Sequence, residues 1–130
     1  MRFTLIDRVL ESSVERVVAV KAVTAAEEYL GDHFPGYAVL PGVLMVEAMA
    51  QAGRVLAAAL GLDERMMISG VRNVRFAAVV RPGQVLRVTV TPRKISEGVL
   101  ACEGRGEVEG ALAVSGRFTL AAASAEGVLP

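Results

Sequence analysis

The sequence predicts an α+β fold, with one antiparallel sheet wrapped around a single long helix. Residues 42–60, GVLMVEAMAQAGRVLAAAL, are almost wholly Ala, Leu, Val and Met. Most of these are strong helix formers, and the run is apolar on nearly every face, so something must wrap it. From Met66 onward the texture changes to strand-like runs separated by glycine-bearing turns. There Leu86, Val88 and Val90 alternate with Arg87, Thr89 and Thr91, the period-2 pattern of a half-exposed strand. At 130 residues, with no internal repeat, low-complexity tract or linker, residues 1–130 read as one domain.

Taken in order, Leu5 to Leu10 suggests one or two helical turns. Val14 to Val23, VERVVAVKAV, is dominated by Val and fits a strand. Thr24 with Glu27 three residues on is a capping box for a short helix ending at Gly31-Asp32. Residues 31–42, GDHFPGYAVLPG, form an irregular loop with two Pro-Gly pairs and the only histidine. Pro41 stands in the first turn of the long helix, where proline is tolerated, and Gly61 closes that helix. Strands follow at Met66–Val80, Gln84–Ile95, Val99–Val108 and Ala111–Ala121. Turns at Arg81-Pro82-Gly83, Ser96-Glu97-Gly98 and Glu109-Gly110 separate them, and a frayed tail runs from Ala122 to Pro130.

Composition narrows the function. Fourteen Lys and Arg balance fourteen Asp and Glu, without the basic excess that nucleic-acid binding requires. No Trp and 5% aromatics imply an aliphatic core. With 53% apolar residues and a mean hydropathy of +0.47, the chain has more apolar surface than a small globule can bury alone, so a homo-oligomer is expected. Cys102 is the sole cysteine, which fits a reducing compartment. Arg2, Asp7, Arg8 and Glu11 break any signal-peptide core, and Pro35, Pro41, Glu47 and Arg54 interrupt the apolar region Phe34–Leu62. The expectation is a soluble cytoplasmic protein without a membrane span.

Three polar residues stand in apolar surroundings: His33, Glu47 and Gln51. Glu47 and Gln51 are four apart on the long helix and share a face, and Arg54, three further on, extends the stripe. A carboxyl buried there without a strong cation beside it is favoured in its neutral, proton-donating form. Gln51 can hold it by a hydrogen bond. His33 has the side chain suited to a general base. Gly42 and Val43 open the helix, so their free N–H groups point outward with the positive end of its dipole, where an oxyanion can rest. Base, acid and oxyanion site together describe proton abstraction beside a carbonyl with loss of a neighbouring group. Each feature also has an ordinary reading. A lone loop histidine is more often structural, a buried Glu can pair with an Arg across an interface, and Pro-Gly pairs form turns.

The run His33-Phe34-Pro35-Gly36, then Leu40-Pro41-Gly42-Val43-Leu44, then Glu47-Ala48-Met49-Ala50-Gln51, closely resembles the FabZ-type (3R)-hydroxyacyl-acyl-carrier-protein dehydratases. Val74-Arg75-Phe76 and Val80-Arg81-Pro82-Gly83 extend the likeness. The resemblance implies a hotdog fold, dimers that in some members assemble into hexamers, and no metal or redox cofactor. It implies His33 as base, Glu47 as acid, Gly42 as oxyanion donor, Gln51 as orienter and Phe76 lining an acyl tunnel. The implied partner, acyl carrier protein, is acidic, and Arg72, Arg75, Arg81, Arg93 and Lys94 are candidates to receive it. Departures from the family pattern are Ala38 for a proline, Gln84 for an aspartate, and Arg54 where a small residue is usual. A hotdog thioesterase and a non-catalytic acyl-binding subunit are the rival readings.

Overall fold

The computed structural model describes residues 5–24, 40–63 and 65–122. Six strands form one antiparallel sheet: β1 (Arg8–Ser12), β2 (Val17–Ala22), β3 (Met67–Phe76), β4 (Val85–Ser96), β5 (Val99–Val108) and β6 (Ala111–Ala121). Their order across the sheet is β1-β2-β4-β5-β6-β3. The helix α1 (Gly42–Ala59) lies in the concave face, which is the hotdog arrangement. By length and composition α1 could cross a membrane, but the fold uses it as a core helix. Met45, Ala48, Met49, Ala52, Leu56 and Ala57 are buried against the sheet. Each fully buried Leu or Met there contributes roughly 1.5–3 kcal/mol over an exposed one.

The alternation read in β4 sorts its side chains as expected. Leu86, Val88 and Val90 face the helix and are fully buried, while Arg87 is exposed and Thr89 and Thr91 are half-buried on the other face. Gly104 on β5 lets the helix settle close, because a Cβ there would lie 2.7 Å from the Met49 sulfur. Both hairpins, β4–β5 and β5–β6, turn on a two-residue Glu-Gly loop. Glu97, Gly98, Glu109 and Gly110 all have positive φ, as the hairpin turn that matches strand twist requires.

Two sequence expectations fail near the N-terminus. Leu5–Leu10 is not helical: Arg8–Ser12 is a strand paired antiparallel with β2. The expected strand Val14–Val23 begins only at Val17, because Ser13–Arg16 makes a tight turn closed by Ser13 N–H donating to Arg16 O. A third correction concerns Met66–Val80, where β3 stops at Phe76. Beyond it Ala77 N–H donates to Ala113 O, and Val80 O accepts from Leu40 N–H, which ties this stretch to the segment leading into the helix. The capping-box helix expected after Thr24 falls in 25–39, outside the described residues.

Candidate active site

Pro41 caps α1 with extended backbone, and its carbonyl accepts from Leu44 N–H and Met45 N–H. Proline has no N–H of its own, so the donors the helix leaves over in its first turn are those of Gly42 and Val43. Phe76 from the end of β3 lays its ring over Gly42, and a Cβ at Gly42 would lie 2.9 Å from Phe76 Cε1. A side chain at position 42 would therefore push the ring away from the helix start. Phe76 is 54% exposed and Val43 is 72% exposed, so this end of the helix is open within one chain.

One turn further in, Glu47 holds the centre of a polar stripe. Gln51 Nε2 donates to Glu47 Oε2 at 3.3 Å, as the four-residue spacing predicts. Arg54 Nη1 donates to the same Oε2, also at 3.3 Å. This corrects the expectation of a buried carboxyl without a cation: the Glu47 side chain is 36% exposed and Arg54 is its partner. Arg54 stands seven residues away, but helical side chains lean toward the N-terminus, which brings a long guanidinium back over two turns. Both donors are fixed at their other ends. Leu5 N–H donates to Gln51 Oε1 at 2.9 Å, and Arg54 Nε donates to Met66 O at 2.8 Å. Neither backbone anchor is visible in the sequence, because Leu5 and Met66 lie in chain segments outside the helix.

His33 lies outside the described residues, as does Ala38. Of the basic residues expected to receive a partner, Arg72, Arg93 and Lys94 come together in one cleft of about 530 Å³ on the outer sheet face. Arg117, which sequence reading missed, joins them, and its signal was the strand period that puts it opposite Arg72. Arg93 also contacts Glu103 at 3.2 Å. Arg75 lies further along β3 opposite Ser115, and Arg81 sits at the turn before β4, so neither lines that cleft. At this turn Gln84 Oε1 accepts from Arg81 N–H at 2.8 Å, serving as an acceptor where the related pattern has aspartate. Among the described residues no group of three or more His, Cys, Asp or Glu could hold a metal ion.

One charged residue the sequence reading passed over is Lys21. It lies on the helix-facing side of β2, in register with Leu86, and faces Asp7 Oδ1 at 3.5 Å. Its signal was present: Lys21 is in phase with the buried Val17, Ala19 and Val23.

Residues 1–117 match the family of FabA-like domains. A 3-hydroxyacyl-[acyl-carrier-protein] dehydratase FabZ from Streptococcus pyogenes serotype M3 is 41% identical over 119 residues, covering 90% of this chain and 86% of the relative. Among solved structures, the dehydratase heterocomplex ApeI:P from Xenorhabdus doucetiae superposes with a TM-score of 0.78 at 23% identity, covering 95% of this chain and 85% of that one. A hypothetical thioesterase with coenzyme A from Streptococcus pneumoniae TIGR4 has a TM-score of 0.73 at 12% identity, over 88% and 83% of the two chains. At such identities the solved structures speak for the fold alone, and they include both dehydratases and thioesterases. The choice between those chemistries rests on the closer sequence relatives. The chain belongs to the FabA-like family, among its FabZ-type hotdog dehydratases.

Proposed function

We propose that Glu47 supplies the acid and His33 the base in the reaction of this family, the conversion of a (3R)-3-hydroxyacyl thioester to the trans-2-enoyl thioester and water. The chain is a 3-hydroxyacyl-acyl-carrier-protein dehydratase of fatty-acid biosynthesis. His33 takes the C2 proton. The negative charge that develops on the thioester oxygen rests on the N–H groups left over at Gly42 and Val43, at the positive end of α1. Protonated Glu47 gives its proton to the departing 3-hydroxyl, which leaves as water. The observation that carries this reading is the Glu47–Gln51–Arg54 stripe one turn inside a helix whose first two N–H groups have no partner among the described residues.

The active protein is a homodimer in the cytoplasm, with His33 of one subunit facing Glu47 of the other. Two observations support this pairing. β3 is a ten-residue edge strand, and it exposes Met67, Val71 and Phe76. The helix start beside it is equally open, with Val43 exposed. Acyl carrier protein docks at the cleft formed by Arg72, Arg93, Lys94 and Arg117, where an acidic surface is steered by charge although the chain is neutral overall. Phe76, over the helix start, contacts the acyl chain as it enters.

The test uses 3-hydroxyacyl carrier protein as substrate, following enoyl absorbance in the ultraviolet beside a thiol-trapping assay. Enoyl formation without thiol release is expected. Thiol release without enoyl formation would make the protein a thioesterase.

A further inference from the structure

Glu47 Oε2 accepts two N–H bonds, from Gln51 Nε2 and Arg54 Nη1, and each donor side chain is tied at its other end to a backbone atom. The Leu5 N–H, bound to Gln51 Oε1, decides which way that amide faces. With its oxygen committed to Leu5, the amide must present its NH2 to Glu47. The Met66 carbonyl, bound to Arg54 Nε, fixes the guanidinium plane in the same way, and Met66 itself is buried, so this anchor is rigid. An oxygen that accepts from two N–H donors leaves no room for a proton of its own.

We infer that Arg54 is a positioning residue that, with Gln51, clamps Glu47 Oε2 and so reserves Oε1 as the atom that carries and delivers the proton. This rests on the reading of Glu47 as the acid. The O–H bond at Oε1 breaks with its electron pair left on Oε1, and the proton joins the 3-hydroxyl. That group departs as water as the C3–O bond breaks, and the electron pair left at C2 forms the C2–C3 double bond. The carboxylate remains with Oε2 still held. All five residues of the clamp belong to one chain. Each subunit therefore brings a pre-assembled acid to a site completed elsewhere. An arginine at this position departs from the small residue of the resembling pattern, and the clamp gives it a purpose other than filling the tunnel.

The experiment compares Arg54→Met, Arg54→Lys and Glu47→Gln with the parent, each checked for folding by circular dichroism and thermal unfolding. Loss of an anchored donor loosens the acid, and a small misplacement of a reacting group costs up to about 100-fold. Arg54→Met should lower kcat by roughly 10- to 100-fold with KM changed less than about twofold. Arg54→Lys, whose ammonium cannot reach Glu47 and Met66 with a fixed fork, should fall between Met and the parent. A kcat within twofold of the parent for Arg54→Met overturns the clamp, and so does a loss carried by KM or confined to long acyl chains. If Arg54→Met does not fold, Arg54→Gln is read by the same criteria. Glu47→Gln separates the two claims. If it retains turnover, the acid assignment itself fails; if it loses turnover while the Arg54 variants do not, only the clamp fails.

Discussion

Two acid–base pairs in this molecule join the same kinds of charge but stand in opposite surroundings. Lys21 and Asp7 meet at 3.5 Å where the N-terminal segment crosses β2, and the Lys21 side chain is 8% exposed. Glu47 and Arg54 meet at 3.3 Å on the open side of α1, with side chains 36% and 27% exposed. At Lys21 the charge is taken into the sheet's inner face, and Asp7 is in turn fixed by the Ala22 N–H at 2.7 Å. Its work is to hold segments together. At Glu47 the pair is reachable from solvent, on the side of the helix where the proposed substrate would enter. Burial thus separates a pair that fastens the chain from a pair that a substrate can reach.

Removing Glu47 from the second pair, or the base proposed to work with it, should have the largest effect on activity. His33→Ala and Glu47→Gln are each expected to lower kcat at least ~100-fold with folding retained, the usual reach of general acid–base catalysis. Co-refolding the two inactive proteins sharpens this. In a random mixture about half the dimers are mixed, and if each site joins His33 of one subunit to Glu47 of the other, every mixed dimer holds one site with both defects and one intact site. Activity near one quarter of the parent is then expected, assuming independent sites. Zero activity, with mixed dimers shown to be present, would mean that each site draws both residues from one chain.

Breaking the first pair should move stability instead. Asp7→Ala removes both the acceptor of the Ala22 N–H and the carboxylate facing Lys21. A fully buried pair broken this way costs about 3–5 kcal/mol. Asp7 is 42% exposed and Lys21 has further interactions, so a smaller loss of about 1–3 kcal/mol is expected in denaturant unfolding. Asp7→Asn keeps an acceptor for Ala22 and should recover part of it. A change below about 0.5 kcal/mol in Asp7→Ala, the ordinary scatter of surface substitutions, would show that this pair fastens nothing.

The same contrast explains what sequence could and could not disclose. Period and turn chemistry are local, so α1, β5 and β6 and the two Glu-Gly hairpins were legible, as was the Glu47–Gln51 spacing. β1 was not, because Arg8–Ser12 has no periodicity of its own and is a strand only through its pairing with β2. The end of β3 was missed for the same reason: Val79 and Val80 look strand-like, but Val80 O accepts from Leu40 N–H outside the sheet. The site divided likewise. Arg54 was visible on the stripe, yet its two partners could not be named together, since Met66 O reaches it only after the chain has left α1 and turned toward β3. Lys21 was legible in principle, from its phase within β2.

Cys102 gives the smallest effect and a third case for the comparison, a buried ionisable group whose register partners are uncharged. Its register partners are Pro92 and Phe118, and it is buried. Burial pushes its thiol from about 9.0 up to about 12. The folded chain therefore keeps this proton while the unfolded chain releases it. Below about pH 9 both states hold the proton and stability does not depend on it, and between about 9 and 12 stability falls as pH rises. At pH 8 the thiolate fraction in the folded chain is then roughly 1,000-fold below that of an ordinary thiol, and only the thiolate reacts. Native protein should react with a thiol reagent at pH 8 at least ~100-fold more slowly than denatured protein, with enoyl formation unchanged during the exposure. Labelling at the denatured rate would mean that the inner face is open at β5. Burial would then no longer distinguish Lys21 from Glu47.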